Sequence, residues 1–219
     1  MIKLFEQYKE YDQVKSWLDK MEIQNYTIND DLTVDVNGDV ILDEHDLTEI
    51  PIQFGRVERY FSCSYNKLTS LKGGPVYVGF DFICHDNELT SLEYCPKEIG
   101  NSFITYNNKI TSLEYAPKDL TSMISCYNNK LTSLKGCPEE LTYFHCGRNN
   151  LTTLEYAPKI IRQQITYDIN PLPQLLYDNN RYIKDIVKHQ EEYVIWNSDG
   201  SLNEKRFNIM LEDIKNGNV

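Results

Sequence analysis

The stretch SYNKLTSLKGGP, residues 64–75, decides the fold because the chain repeats it closely. Its copies are HDNELTSLEYCP (85–96), YNNKITSLEYAP (106–117), YNNKLTSLKGCP (127–138) and GRNNLTTLEYAP (147–158). One asparagine anchors every copy and recurs at intervals of 20 or 21 residues, at Asn66, Asn87, Asn108, Asn129, Asn149 and Asn170. A fixed period of this length is typical of a solenoid, in which each repeat packs against its neighbours.

The letters around each asparagine predict a short strand followed by a turn. Around Asn108, for example, Phe103 and Thr105 precede it, and Ile110 and Leu113 follow it. Alternate side chains of a strand point the same way, so we expect the first two to face inward. The asparagine amide can bond the backbone of the turn and of the adjacent coil, which would leave no buried polar group unpaired.

A proline then ends each coil and begins an extended return segment, at Pro75, Pro96, Pro117, Pro138 and Pro158. Three residues later an apolar side chain is expected to point inward, at Val78, Ile99, Leu120, Leu141 and Ile161. An earlier degenerate copy, VILDEHDLTEI (40–50), brings the total to about seven coils.

The pattern L-x-L-x-x-N-x-L-x-x-L over residues 39–175 resembles the leucine-rich repeat, in its short bacterial form. The resemblance implies an α/β repeat solenoid, a curved slab with short parallel strands that binds proteins through its concave face. Some bacterial proteins with this repeat carry a ubiquitin-ligase domain after it. The 44 residues after position 175 are too few for such a domain and contain no cysteine, so that activity is not expected.

The two ends predict helical caps, because an open solenoid end exposes its core. Apolar residues at helical spacing predict a helix over residues 4–23, with Leu4, Tyr8, Tyr11, Val14, Trp17, Leu18 and Met21 on one face. LTVDVNGDVIL (32–42) predicts a hairpin around Asn37-Gly38. The same acidic stretch is a poor calcium loop, since Val40 occupies the glycine position and Asp46 the glutamate position.

Beyond Leu175, Ile183, Ile186 and Val187 indicate one helix, and Phe207, Met210, Leu211 and Ile214 indicate a second. The predicted organisation is therefore a helix and hairpin cap (1–38), a repeat solenoid (39–175) and a C-terminal helical cap (176–219).

Composition narrows the function. The net charge is −11, and no basic footprint for direct nucleic-acid binding is present. No run of about 18 apolar residues could span a membrane, and the polar N-terminus is not expected to be a secretory signal. The six cysteines lack the paired spacing of a zinc site, which favours reduced, buried fillers in a cytoplasmic protein. No catalytic motif is found, so we expect neither enzymatic activity nor a cofactor or metal.

Two surfaces remain as binding candidates. The outward strand positions vary while the inward ones do not, and they offer a protein-binding stripe at Tyr65, His85, Tyr106, Tyr127, His145 and Arg148. Tyrosine provides a large contact area at low entropic cost. The alternative is an acidic patch at Asp31, Asp35, Asp39, Asp43 and Glu44, which could attract a basic partner or imitate nucleic-acid phosphate.

Three stretches, SYNKLTSLKGGP, LTVDVNGDV…LTEIPIQFG and IWNSDGSLNEKRF, are similar to leucine-rich-repeat proteins of large tailed bacteriophages. This resemblance implies expression in an infected bacterium and a host protein as partner, such as an antiviral defence factor that the protein would bind and modulate. An acidic decoy and a structural or assembly component of the virion are the alternatives. Self-association through the C-terminal cap also stays open.

Overall fold

The structure, a computed structural model, describes the backbone of residues 2–219 and the side chains of residues 10–219. It is a solenoid slab of short parallel strands with helices at both ends, as the repeat predicts. The helices are α1 (Ile2–Lys20), α2 (Gln174–Asp178), α3 (Ile183–His189) and α4 (Glu204–Asn216), and a 3₁₀ turn covers Asn180–Tyr182.

A seven-stranded parallel sheet takes one strand from each coil, and its seven strands delimit six turns of the solenoid. Its strands are β3 (Val40–Ile41), β5 (Phe61–Ser62), β7 (Phe82–Ile83), β9 (Ser102–Ile104), β10 (Met123–Ser125), β11 (Glu140–His145) and β12 (Ile160–Thr166). Phe61, Phe82 and Phe103 pair in register, so equivalent residues of successive repeats form straight columns.

The columns predicted to face inward form the core. The rings of Phe61 and Phe82 lie 5.6 Å apart, and those of Phe82 and Phe103 lie 5.8 Å apart, all fully buried. The aliphatic residues after each asparagine are buried as well, except the last, Leu175, which is half-buried. One coil cannot bury these side chains alone, and each stack is completed by its neighbours.

The anchor asparagines join the coils to one another, as the sequence predicts, with the bonds running to the preceding coil. The Oδ1 atom of Asn108 accepts from the backbone N–H of Leu89 at 2.9 Å, and its Nδ2 donates to the carbonyl of Cys84 at 3.0 Å. Asn66, Asn87, Asn129, Asn149 and Asn170 repeat this arrangement. The asparagine column therefore satisfies buried backbone groups along the whole solenoid.

The return segments form a second sheet, which the sequence does not reveal. It contains β1 (Tyr26–Ile28), β2 (Thr33–Val36), β4 (Gln53–Val57), β6 (Tyr77–Val78) and β8 (Glu98–Ile99), in that order. All its pairings except β1 with β2 are parallel. The apolar return residues point into the core as predicted, and Val78 and Leu141 are fully buried.

The N-terminal cap corrects the predicted hairpin. β2 and β3 flank Asn37-Gly38 but belong to different sheets, so this dipeptide is a corner of the first coil. The antiparallel hairpin lies earlier, between β1 and β2. The predicted helix is present as α1, where Leu18 is buried and the ring centroid of Trp17 lies 6.3 Å from that of Phe54. The side chains of Leu4 and Tyr8 lie outside the described residues.

The C-terminal cap closes the other end with α3 and α4, as predicted. Gln190, which is 2% exposed, links the cap to the solenoid. Its Nε2 donates to the carbonyl of Leu154 in the solenoid, and its Oε1 accepts from the indole of Trp196 in the cap. Helix α4 has a side-chain cap at Asn203 and ends at Gly217 in a left-handed conformation.

Candidate binding site on the outward face of the sheet

The outward face of the seven-stranded sheet, which we call the ladder face, carries the variable positions of the repeat. They lie four, two and one residues before each anchor asparagine. The last of these is a turn residue with a φ of 50° to 61°, at Glu44, Tyr65, Asp86, Asn107, Asn128, Arg148 and Ile169. Left-handed backbone is uncommon outside glycine, and asparagine and aspartate tolerate it best. This column therefore belongs to the turn that follows the strand. The sequence had instead placed it among the outward strand positions.

Tyr65, His85 and Tyr106 form a continuous aromatic stack across three coils. The ring centroids of His85 and Tyr106 are 4.2 Å apart and nearly parallel, at 9°. The rings of Tyr65 and His85 are nearly perpendicular, with their centroids 5.0 Å apart. Tyr65 is 53% exposed and the other two are partly buried, so the stack offers its edges to a ligand.

A chain of polar side chains runs beside the stack. Asn128 donates to Asn107 at 2.8 Å, Asn107 donates to Asp86 at 2.9 Å, and Asp86 lies 2.8 Å from Nδ1 of His85. Sequence reasoning placed these residues in the outward columns but did not select them as binding residues. The doubled asparagine in YNNK, at residues 106–109 and 127–130, was the available signal. This chain of polar side chains fixes the orientation of His85 and therefore the geometry of the aromatic stack.

The other predicted stripe residues lie in two further groups. The guanidinium of Arg148 is 5.7 Å from the ring centroid of Tyr127. His145 bonds Thr166 through Nδ1 at 2.8 Å and lies 6.5 Å from the ring of Tyr143. Burial lowers the pKa of His145, which favours a neutral imidazole there. The six predicted residues share one face but form three clusters.

Tyr106 is suited to hydrogen bonding as well as to packing. Burial raises the pKa of its phenol first, and the neighbouring Tyr65 and Asp86 raise it further. The hydroxyl therefore stays protonated and can donate. Partly buried Ile83 and Ile104, in the column next to the stack, add apolar surface. This combination of apolar, aromatic and amide groups suits recognition of a polypeptide.

Three residues of the predicted acidic patch are already used by the fold. Asp35 accepts from the backbone N–H of Arg56 at 2.7 Å. Asp39 accepts from that of Tyr60 at 3.2 Å, and Asp43 from that of Ser64 at 2.7 Å. Each of these three carboxylates thus bonds to the following coil. Asp31 instead stabilises a local turn by accepting hydrogen bonds from Thr33. Glu44 is an exposed turn residue.

All six cysteines are free thiols, but Cys95 and Cys137 are only half-buried, whereas the sequence predicted six buried fillers. Cys63, Cys84, Cys126 and Cys146 are fully buried in one column. Burial raises the pKa of the Cys84 and Cys126 thiols to about 12, although a weak contact with the Thr105 hydroxyl acts in the opposite direction on Cys84. Within residues 10–219, no group of three or more His, Cys, Asp or Glu is arranged to hold a metal ion. In the part of the chain that the structure describes, none of the helices combines the length and the apolarity needed to cross a membrane.

In comparisons with known proteins, no family model matches the chain, and no curated protein matches it.

Proposed function

We propose that this chain is a non-enzymatic protein-binding module that recognises its partner through the ladder face. The aromatic stack of Tyr65, His85 and Tyr106 carries the proposal. It is a specific feature on a scaffold whose inward residues are nearly uniform, and the polar chain ending at Asp86 holds it in place. Large aromatic side chains of this kind dominate the energetics of many protein interfaces.

The partner in this proposal is a host bacterial protein, and the chain is a leucine-rich-repeat protein of bacteriophage type acting in the cytoplasm of the infected cell. This part rests on the sequence resemblance, which implies modulation of a host factor such as a defence protein. The acidic-decoy alternative is weakened, because Asp35, Asp39 and Asp43 already accept backbone hydrogen bonds within the fold.

Affinity capture from bacterial lysate tests the proposal. The tagged protein is compared with a Tyr106→Ala/Tyr127→Ala variant and with a Tyr94→Ala/Tyr115→Ala control. The control tyrosines belong to neighbouring coils and are 52% and 58% exposed, but they lie between the last leucine and the proline of the coil, outside the ladder-face columns.

We expect one partner to be retained by the wild type and the control and to be lost from the Tyr106/Tyr127 variant. Interface hot spots contribute about 2 kcal/mol or more, so affinity should fall roughly 30-fold. Equal capture by all three proteins, with folding verified by circular dichroism, would move the binding site away from the ladder face.

A further inference from the structure

A pocket lies where the last strand of the ladder face meets the C-terminal cap. Its walls are Gln164, Thr166 and Asp168, which are the outward residues of the last coil, together with Tyr177 and Asn180 of the cap. Its volume is about 270 Å³. Small-molecule sites usually span roughly 300–1,000 Å³, so this pocket is closer in size to one large side chain.

Asp168 differs from the other aspartates of the ladder face. Asp43 and Asp86 both accept hydrogen bonds from a neighbouring coil. Among the described residues, the carboxylate of Asp168 has neither a hydrogen bond nor an ion pair. It leans over Gly147, with Oδ1 only 2.7 Å from the point that a Cβ of residue 147 would occupy. Because residue 147 is a glycine, it has no side chain that would cover this side of the carboxylate.

Two aromatic residues, Tyr167 and Tyr177, line the same pocket as the carboxylate. The Tyr177 hydroxyl donates to the carbonyl of Asn170 at 2.7 Å, which fixes the ring. The second ring, Tyr167, stacks on Tyr177 at 5.5 Å, and its hydroxyl donates to Asn180. A carboxylate and a fixed tyrosine ring in one pocket can together bind a cation, by charge and by cation–π contact.

The charge of the ladder face also favours a cationic ligand. Its outward columns contain four carboxylates, at Asp43, Glu44, Asp86 and Asp168, and one guanidinium, at Arg148. Arg148 lies over Tyr127 and forms no ion pair with Asp168. A partner segment with a basic side chain is therefore attracted to this face.

We propose that this pocket receives a lysine or arginine side chain of the partner protein, while the adjacent segment of that partner crosses the aromatic stack. The inference rests on the proposed function and adds the chemistry of the partner. Asp168 provides the counter-charge, and Tyr177 provides the stacking surface. Gln164 and Asn180 contribute amide oxygens at the rim.

Selection from a display library of random peptides on the immobilised full-length protein tests this inference. Parallel selections use Asp168→Asn, the charge reversal Asp168→Lys, and Asp119→Asn, which removes the same charge on a return segment outside the ladder face. The Tyr106→Ala/Tyr127→Ala variant then reports whether the selected peptides bind at the ladder face. Because the Asp168 carboxylate makes no bond within the fold, its replacement should leave stability unchanged.

We expect wild type and Asp119→Asn to select peptides with a basic residue at one fixed position. Those peptides should bind Asp168→Asn about tenfold more weakly, and Asp168→Lys should select an acidic residue at that position. Peptides that depend on Tyr106 and Tyr127 but show no basic preference would overturn the pocket assignment and leave the binding face intact. A selection that yields no peptides, or peptides indifferent to Tyr106 and Tyr127, would overturn both.

Discussion

Replacing one anchor asparagine should destabilise the solenoid, and Asn149 offers the best-controlled case. Its side chain is 6% exposed. Its Oδ1 accepts from the backbone N–H of Leu131 at 3.0 Å, and its Nδ2 donates to the carbonyls of Cys126, Cys146 and Gly147 at 3.0–3.1 Å. Asn149→Ala removes all of these bonds and leaves the Leu131 N–H buried without a partner.

The expected loss of stability follows from the number of hydrogen atoms that the Asn149 side chain accepts or donates in hydrogen bonds. One hydrogen is accepted and two are donated, and each net hydrogen bond contributes about 1 kcal/mol, so the free energy of unfolding should fall by about 3 kcal/mol. Asn150→Ala is the matched control, because Asn150 is exposed and only its backbone contributes to the ladder, through Leu131. That substitution should change the free energy of unfolding by less than about 0.5 kcal/mol.

Urea unfolding followed by two signals measures both variants. Far-ultraviolet circular dichroism reports the sheets, and tryptophan fluorescence reports the ends, because Trp17 and Trp196 lie in the two caps. Two signals are needed since solenoids can unfold in stages. Equal stability of Asn149→Ala and Asn150→Ala would refute the conclusion that the asparagine column holds the coils together.

Further predictions concern the core, the cap and the thiols. Thr105→Val should raise the free energy of unfolding by about 1 kcal/mol in urea titrations, because the buried Thr105 hydroxyl makes no hydrogen bond of ordinary geometry; a loss of stability would contradict this. Gln190→Ala should release the indole of Trp196 and red-shift its emission before the sheet signal changes, and a single coincident transition would argue against its joining role. Buried thiols stay protonated in the fold while unfolded thiols ionise near pH 8.5, so stability should fall as pH rises from there toward 12. Removing one thiol, as in Cys84→Ala or Cys126→Ala, should reduce this fall by up to about 1.4 kcal/mol per pH unit, and an unchanged pH dependence would be inconsistent with the buried-thiol assignment.

The core and the first sheet were predictable from the sequence because both depend on a strict period. Phe82, Phe103 and their equivalents keep one distance from the anchor asparagine, and parallel pairing in register turns that distance into a column. The asparagine contacts followed from the same regularity. A buried amide at a turn must bond to backbone, and the neighbouring coil is where unpaired backbone is available.

Other features depend on geometry that the period does not encode. Asn37-Gly38 has the composition of a hairpin turn, but Val34 and Phe54 pair in parallel, and the chain turns a corner between two sheets there. The return strands are two residues long in β6 and β8, too short for alternation to be visible in the sequence.

The candidate site was predictable in position but not in grouping. Six variable residues could be assigned to one face, yet their contacts depend on side-chain conformation. His85 turns toward Tyr106 at 4.2 Å, while Tyr127 pairs with Arg148. The proposed role of Asp168 could not be predicted for a similar reason. Only the structure distinguishes the carboxylates that bond to a neighbouring coil from that of Asp168, which does not.

Photo-crosslinking from the ladder face tests the central claim most directly. Tyr65 is replaced with a photoreactive phenylalanine analogue, which keeps an aromatic ring at an exposed position and leaves Tyr106 and Tyr127 intact. The same analogue at Tyr115 serves as the control. We predict a covalent adduct with one bacterial protein from position 65 and none from position 115. An adduct formed only from position 115 would contradict binding through the ladder face.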